Sequence, residues 1–469
     1  MKSLYFSNHK SKSAIIVQMV LALLTAGLVF CGSAAASFVF ADSPRVKKMG
    51  RWVSAGNGSL YAGRGGVLVS AEFEGTGVQV QMFSDSQGEV WWLKKLDNGP
   101  LIRFKAQMGM NVLYQNLPYG KHTLIMIRDT EGMRGVTILR GFFFAGEAEP
   151  AVGTAPVSSA PVAGQGAAGK GSAAGQGNTA AQKGNVASQR GNIAVQRGNA
   201  AASTRSAGKN TVSAPVLQRG NVTQRGNTAA STRSAGNNTG NAPVAQPVQR
   251  VPRRRCIEII GDSVAAGAFI YPEGDYFQRE SGYLAFGPQL ARMLHADWSC
   301  VTSSGEGAVR NNEEKPPYTA KHADEQIERA FYTQKEPRWN NQMDDPELVI
   351  LAYGENDFND PVNRPSDAYF KEQYKKLVQK LRQFRPKSAI FCMTPANTVT
   401  SQRSTPGMGG AVAELRAAGD SKVYFINLNS QGPLLNQSDF LDGVHPLVSG
   451  HEKIALYLRT QARAILGWN

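Results

Sequence analysis

Cysteine and histidine are scarce in this chain, with four of the first and six of the second in 469 residues. Cys31 falls in the N-terminal apolar run, which leaves Cys256, Cys300 and Cys392, an odd number without a C-x-x-C pair. That spacing argues against a zinc site, and neither a metal nor another cofactor is expected. Cys256 and Cys300 each stand a few residues ahead of a motif, on strands expected to be neighbours. One disulfide between them is conceivable, but three buried, inert thiols are the expectation.

Acidic and aromatic residues are missing from a whole segment. Between Ala151 and Arg255 there is no Asp, Glu, Phe, Tyr or Trp, while lysines and arginines from Lys170 to Arg255 supply thirteen positive charges. These take up most of the formal +15 and leave +2 for the remainder, so the basic balance is local and implies no nucleic-acid partner for the folded parts. Gln-Arg-Gly-Asn recurs from Gln189, Gln196, Gln218 and Gln224, and residues 201–211 are nearly repeated by 229–239. Without large apolar side chains the stretch cannot offset the entropy of ordering, so residues 148–254 are expected to be a disordered cationic linker. Such a linker serves either as a solvated spacer or as a contact to anionic polymers of a cell envelope.

The N-terminus is apolar instead. Lys2, Lys10 and Lys12 precede a run over residues 14–36 that ends in Ser33-Ala34-Ala35-Ala36. This describes a secretory signal cleaved after Ala36 or Ala41, hence an exported, periplasmic or extracellular protein. Continued to Phe40, the run is also long enough for an uncleaved membrane anchor. Residues 1–41 are therefore read as signal or anchor.

Two folded regions remain. Over residues 46–147, short alternating runs at 67–73, 77–83, 90–96, 101–108, 121–128 and 136–144 are separated by turn signals such as Asp97-Asn98-Gly99. With no helical period, they predict an all-β sandwich of the jelly-roll kind. From residue 255 the pattern becomes strand, loop, helix. Strands are expected at 256–260, 298–302, 348–352, 389–393 and 423–427, and helices at 282–294, Asp367–Phe384 and 449–466. This alternation predicts an α/β domain with a parallel sheet between two helical layers, whose ligand crevice lies beyond the carboxyl ends of the strands.

Four motifs sit at those ends: Gly261-Asp262-Ser263, Ser304-Gly305-Glu306-Gly307, Gly354-Glu355-Asn356-Asp357 and Asp442-Gly443-Val444-His445. Each supplies one part of a serine hydrolase. Ser263 is the candidate nucleophile, which needs a base to take its proton. His445 is that base, oriented by Asp442 three residues earlier. The backbone N–H groups of Ser263 and Gly305 and the side-chain amide of Asn356 are the candidate oxyanion donors. Asp262 is read as fixing its turn. His9 lies in the export signal and His122 in the sandwich, while His295, His322 and His451 lack a carboxylate at useful spacing or a nearby motif; His451, on the helix after the site, is expected to be a surface or capping residue. Tyr353 and Phe358 flank the third motif and are read as packing groups rather than acyl-pocket walls.

On these residues the C-terminal region, 255–469, resembles an SGNH hydrolase of the GDSL esterase superfamily, whose blocks contribute Ser263, Gly305, Asn356 and His445, with Asp442 completing the triad. The sandwich, with Phe73-Glu74-Gly75-Thr76-Gly77-Val78, residues 117–123 and Asp129-Thr130-Glu131-Gly132, is similar to the N-terminal domain of the second family of carbohydrate esterases. Arg310-Asn311 after the second motif also resembles that family. The resemblance implies removal of O-acetyl groups from a polysaccharide, either peptidoglycan or a xylan-like glycan. Two departures accompany it: the cationic insert, which leaves the close packing of the two domains open, and Glu355, where a small residue is common. A polysaccharide O-acetyltransferase with the same triad and a non-catalytic envelope glycan-binding protein are the alternatives. The sandwich would present the glycan or only buttress its neighbour.

Overall fold

The computed structural model describes residues 36–85, 89–146, 254–341 and 345–468. Residues 1–35 of the signal or anchor and all but the last residue of the cationic segment lie outside them. Strands β1 (Ala36–Phe40), β2 (Val46–Met49), β3 (Trp52–Ser54), β4 (Leu60–Ala62), β5 (Leu68–Gly75), β6 (Gly77–Ser84), β7 (Trp91–Leu96), β8 (Ile102–Lys105), β9 (Gly109–Tyr114), β10 (Gly120–Arg128) and β11 (Thr137–Ala145) form two antiparallel sheets. One runs β3-β4-β11-β6-β9 with β1 on β11, and the other β2-β5-β10-β7-β8. Alternation drives the packing: in β5, Val69, Ala71 and Phe73 are buried while Glu72 and Glu74 face outward. The core between the sheets is closed by Trp52, Phe73, Trp92, Phe142 and Phe144.

All six expected strand runs are present. One expectation is corrected: residues 36–40, assigned to the signal or anchor, are the strand β1, in register with β11 from Ala36 against Ala145 to Phe40 against Gly141. Alternating Phe and Val serve an antiparallel strand as well as an apolar leader, and the periodicity alone does not separate them. Among the described residues no helix is long and apolar enough to cross a membrane.

The second region holds five parallel strands, β12 (Cys256–Gly261), β13 (Asp297–Thr302), β14 (Leu348–Ala352), β15 (Ala389–Met393) and β16 (Val423–Ile426), in the order β13-β12-β14-β15-β16. Helices α1 (Ser263–Ala266), α2 (Phe286–Met293), α3 (Ala323–Gln326), α4 (Glu355–Phe358), α5 (Asp367–Phe384), α6 (Thr398–Ala417) and α7 (Val448–Leu466) complete it. Ile257, Ile259, Leu348 and Ile350 pack with α2 and α7 on one face. Ile260, Val349, Leu351 and Ile390 pack with α5 and α6 on the other, where Tyr374, Leu377, Val378 and Leu381 form the buried stripe of α5.

Helix α6 was not foreseen. It contains Pro406, Gly407, Gly409 and Gly410, which score against a helix. The tertiary reason is close approach: a Cβ at Gly407 would lie 2.8 Å from the Phe370 ring of α5. Among the described residues Cys256 is half-buried, while Cys300 and Cys392 are buried. Cys256 pairs in register with Asp297 and Ile259 with Cys300, so the two sulfurs stand three positions apart along adjacent strands, too far for a disulfide.

The domains pack closely despite the insert. Arg51 of the sandwich reaches Glu258 in the middle of β12 at 3.0 Å, and Arg385 grips the same carboxylate at 2.8 and 2.9 Å. All three are fully buried. Arg51 also donates to the carbonyls of Ile327 and Arg329, Arg64 donates to the Gln326 side chain at 2.9 Å, and Trp298 Nε1 donates to Gly66 O at 2.9 Å. The two arginine charges hold the Glu258 carboxyl below its ordinary value although burial opposes them. Glu258→Leu would leave two buried guanidinium groups without a counter-charge. We expect a loss of about 3–5 kcal/mol, read as a lowered midpoint in urea unfolding.

Candidate active site

The first motif is a strand-to-helix turn. Gly261 ends β12 beside β14, where a Cβ would sit 2.6 Å from Ala352 O, so only glycine fits. Asp262 Oδ1 accepts the N–H of Val264 at 3.0 Å and caps α1, the structural task expected of it. Ser263 follows as the first helical residue, with only 5% of its surface exposed.

The last motif is a tight loop before α7. Asp442 Oδ1 accepts the backbone N–H groups of Val444 at 3.0 Å and His445 at 2.8 Å, while Oδ2 lies 2.8 Å from His445 Nδ1. His445 Nε2 is 3.0 Å from Ser263 Oγ, across 182 positions of sequence. With the ring proton on Nδ1 donated to Asp442, Nε2 is left to accept from the serine hydroxyl. Burial alone would raise the Asp442 carboxyl, but the hydrogen bonds from the His445 ring and backbone, with the ring's charge, hold it well below the usual carboxylate range. The carboxylate therefore stays ionised opposite an imidazolium.

The second and third motifs are tied to one another. Ser303 N–H donates to Gly261 O at 3.1 Å, and Gly305 follows in the left-handed region at φ +77°. Asn356 Nδ2 donates one hydrogen to Glu306 O at 2.8 Å, which leaves its second N–H for a ligand. Asp357 accepts the N–H groups of Ala308, Val309 and Arg310 at 3.0, 2.7 and 2.9 Å. Arg310 returns bonds to Asn356 O and Asn359 Oδ1. Asp357 and Arg310 are organising residues that sequence reasoning quoted without assigning a role. The available signal was that Asp357 is the fourth residue of its motif and Arg310 stands three residues after the end of the second one.

Glu355 is turned away from solvent and accepts from Thr400 Oγ1 at 2.6 Å. Burial pushes its carboxyl up to about 7, against the Thr400 hydrogen bond and the charge of His445. Asn397, at the start of the same helix α6, donates to Gly443 O at 2.7 Å, so the unforeseen helix anchors the loop that carries the base. The ring of Phe269 lies 4.8 Å from that of His445, with Tyr276, 38% exposed, 4.8 Å beyond it at the mouth of the site.

Other expectations come out unevenly. His451 is not a surface residue: it is fully buried, its Nδ1 accepts the N–H of Phe286 at 3.1 Å, and burial pushes its pKa down to about 3. It caps α2, not its own helix. His322 does have a carboxylate, Glu314 at 2.7 Å, but the pair is made to each other and not to a serine. Phe358 packs on Phe370 in the core, and Tyr353 is buried with its hydroxyl donating to Glu306 at 3.1 Å. A cavity of about 380 Å³, lined by Trp52, Arg254, Cys256, Asp297 and Trp298, opens at the other end of the strands. Volume would point there, and it is the hydrogen-bond chain that locates the chemistry.

A serine, an imidazole and a carboxylate linked in series at the carboxyl edge of a parallel sheet are the arrangement of a serine hydrolase. Residues 259–453 match the GDSL-like lipase/acylhydrolase family, and residues 48–152 match the carbohydrate esterase 2 N-terminal domain, so the second match precedes the first along the chain. Two curated proteins of Cellvibrio japonicus (strain Ueda107), each called acetylxylan esterase / glucomannan deacetylase, are similar at 26% identity over 196 residues and 25% over 231 residues. These matches take in 38% and 47% of this chain and only 52% and 60% of the relatives' own lengths. Among solved structures, a family two carbohydrate esterase from Cellvibrio japonicus aligns over 93% of this chain and 99% of its own at TM-score 0.62 and 19% identity. One from Clostridium thermocellum in complex with cellohexaose aligns over 90% and 100% at TM-score 0.58 and 19% identity. These likenesses establish the fold.

Burial pushes the Glu306 carboxyl up to about 8 against the charge of Arg64, and Glu355 to about 7. Between the ordinary value of 4.5 and these, the folded protein keeps protons that the unfolded chain releases. These two groups therefore cost stability as pH rises through that window. The thermal midpoint should fall from about pH 5 to about pH 8, and Glu306→Gln should flatten the decline.

Proposed function

We propose that the protein is an exported serine esterase that removes O-acetyl groups from a polysaccharide through an acetyl-serine intermediate. The observation that carries the reading is His445, whose two ring nitrogens lie 2.8 Å from Asp442 and 3.0 Å from Ser263. Ser263 Oγ forms a bond to the acetyl carbonyl carbon as its proton passes to His445 Nε2. The carbonyl π pair moves onto oxygen, where the N–H groups of Ser263, Gly305 and Asn356 receive it. Collapse breaks the bond to the sugar oxygen, which takes the proton from His445 and leaves as a hydroxyl. Water then adds by the same route, releasing acetate and restoring the serine.

The names of the relatives support acetylated xylan or glucomannan over peptidoglycan as substrate. A salicylyl-acyltransferase from a tetracycline biosynthetic pathway has the same fold at TM-score 0.51 and 12% identity, so transfer to a sugar hydroxyl is measured beside hydrolysis. Export rests on the basic and apolar character of residues 2–36, and the cationic segment is read as a solvated spacer, with contact to anionic envelope polymers as the alternative.

Acetate release from acetylated xylan, glucomannan and peptidoglycan should single out one or both plant polysaccharides. Ser263→Ala should lower kcat on 4-nitrophenyl acetate on the order of 10³-fold or more, and Asp442→Asn by a comparable order, with folding retained. Unchanged turnover in Ser263→Ala would remove the esterase reading.

A further inference from the structure

The buried boundary between the two domains carries a run of charged groups that ends at the oxyanion loop. Glu131 stands on the turn between β10 and β11 and is 1% exposed. Its Oε2 accepts the backbone N–H of Ser304 at 2.8 Å, across the domain boundary. Arg134 stands behind it, 3.8 Å from Glu131 and 3.9 Å from the equally buried Glu280, its guanidinium covered by Phe277 at 4.0 Å and Tyr276 at 4.6 Å. Asp129, two residues earlier, locks the same turn by accepting from Arg103 at 2.7 Å and from the Ser281 hydroxyl. The Glu131 carboxylate is thus delivered to the loop by a turn that is itself fixed to the second domain.

Ser304 immediately precedes Gly305, whose N–H is an oxyanion donor in the reading above. Gly305 has φ +77°, and a Cβ there would meet nothing closer than Asn312 at 3.9 Å. Steric contact therefore does not set the direction of its N–H, and glycine has no local preference that would. Hydrogen bonds on either side do. The Ser304 N–H is held by Glu131, and the Gly305 carbonyl is held by the N–H of Asn312 at 2.8 Å. An ionised carboxylate is a strong acceptor with no competing donor of its own, which suits it to pinning an N–H. Burial raises the Glu131 carboxyl while the Ser304 bond and the Arg134 charge oppose that rise, and the charge of His445 is near enough to add to them.

We propose that Glu131 is a positioning residue that aims the Gly305 N–H at the oxyanion, so that the N-terminal domain completes the catalytic site. The inference rests on the esterase reading and assigns the sandwich a part in turnover as well as in packing. The test compares Glu131→Ala, Glu131→Asp and Glu131→Gln with Ser263→Ala on 4-nitrophenyl acetate. It also measures each variant's affinity for a small alkyl boronic acid, which forms a tetrahedral adduct on the serine hydroxyl. Folding is followed by circular dichroism.

Glu131→Ala, and Glu131→Asp with its carboxylate withdrawn by one methylene, should lower kcat about tenfold to a hundredfold, a fraction of the loss from deleting an oxyanion donor. KM should stay nearly constant, and boronate affinity should fall by the same factor as kcat. Glu131→Gln keeps an acceptor oxygen in place and should stay within a few-fold of wild type. Folded Ala and Asp variants that match wild type in both kcat and boronate affinity, while Ser263→Ala is inactive, overturn the proposal. If Glu131→Ala does not fold, Asp against Gln decides, and equality of the two overturns it. A wild type no faster than Ser263→Ala counts against the esterase reading instead, and the boronate ratios still report on the loop.

Discussion

A parallel sheet brings the carboxyl ends of all its strands to one edge, and the site depends on that constraint before it depends on any side chain. Gly261 lies in register with Thr302 on one side and Ala352 on the other, so the residues that follow these three leave the sheet side by side. Ser263, Gly305 and Asn356 come from different parts of the chain and become neighbours because their strands do. Only the base is brought in from elsewhere, by the loop ahead of α7, and Asp442 uses both of its oxygens to hold that loop and its imidazole. A pairing shift of one position in β12 would turn Glu258 and the serine turn to the wrong faces together.

Glu258 shows how the same sheet is tied to the sandwich. A carboxylate in the middle of a buried strand is costly, and it persists because Arg51 and Arg385 approach it from the two domains. At the site end of the boundary Arg134 faces Glu280 of the second domain at 3.9 Å, while its pair with Glu131 and the Arg103–Asp129 pair lie within the sandwich. Both domains therefore have charges that are satisfied only when the other is present. The cationic segment between them in sequence did not have to place them, since the buried pairs do so.

Much of this was legible before any coordinates. The alternation in β5, the stripe of α5 and the place of the motifs at strand ends are legible because each depends on neighbours within a few positions. The failures have a common cause. Helix α6 was hidden by Pro406, Gly407, Gly409 and Gly410, whose low propensity is outweighed by the close packing that Gly407 allows against Phe370. Strand β1 was taken for part of a leader because its partner, β11, lies a hundred positions away in sequence. His451, expected at the surface or in a cap, is buried and does cap, but the amide belongs to Phe286 on another helix.

Local sequence was enough to give the classes of the two domains and to nominate the serine, histidine and carboxylate. Periodicity and a three-residue spacing are local properties that survive without a fold. Tertiary structure alone decided which long-range groups serve them. Asp357 shapes the second motif from the third, Asn397 steadies the histidine loop, and Glu131 reaches the oxyanion loop from the other domain. Hydrogen bonds of that kind depend on distances of about 3 Å between residues far apart in the chain, and only the packed fold sets those distances.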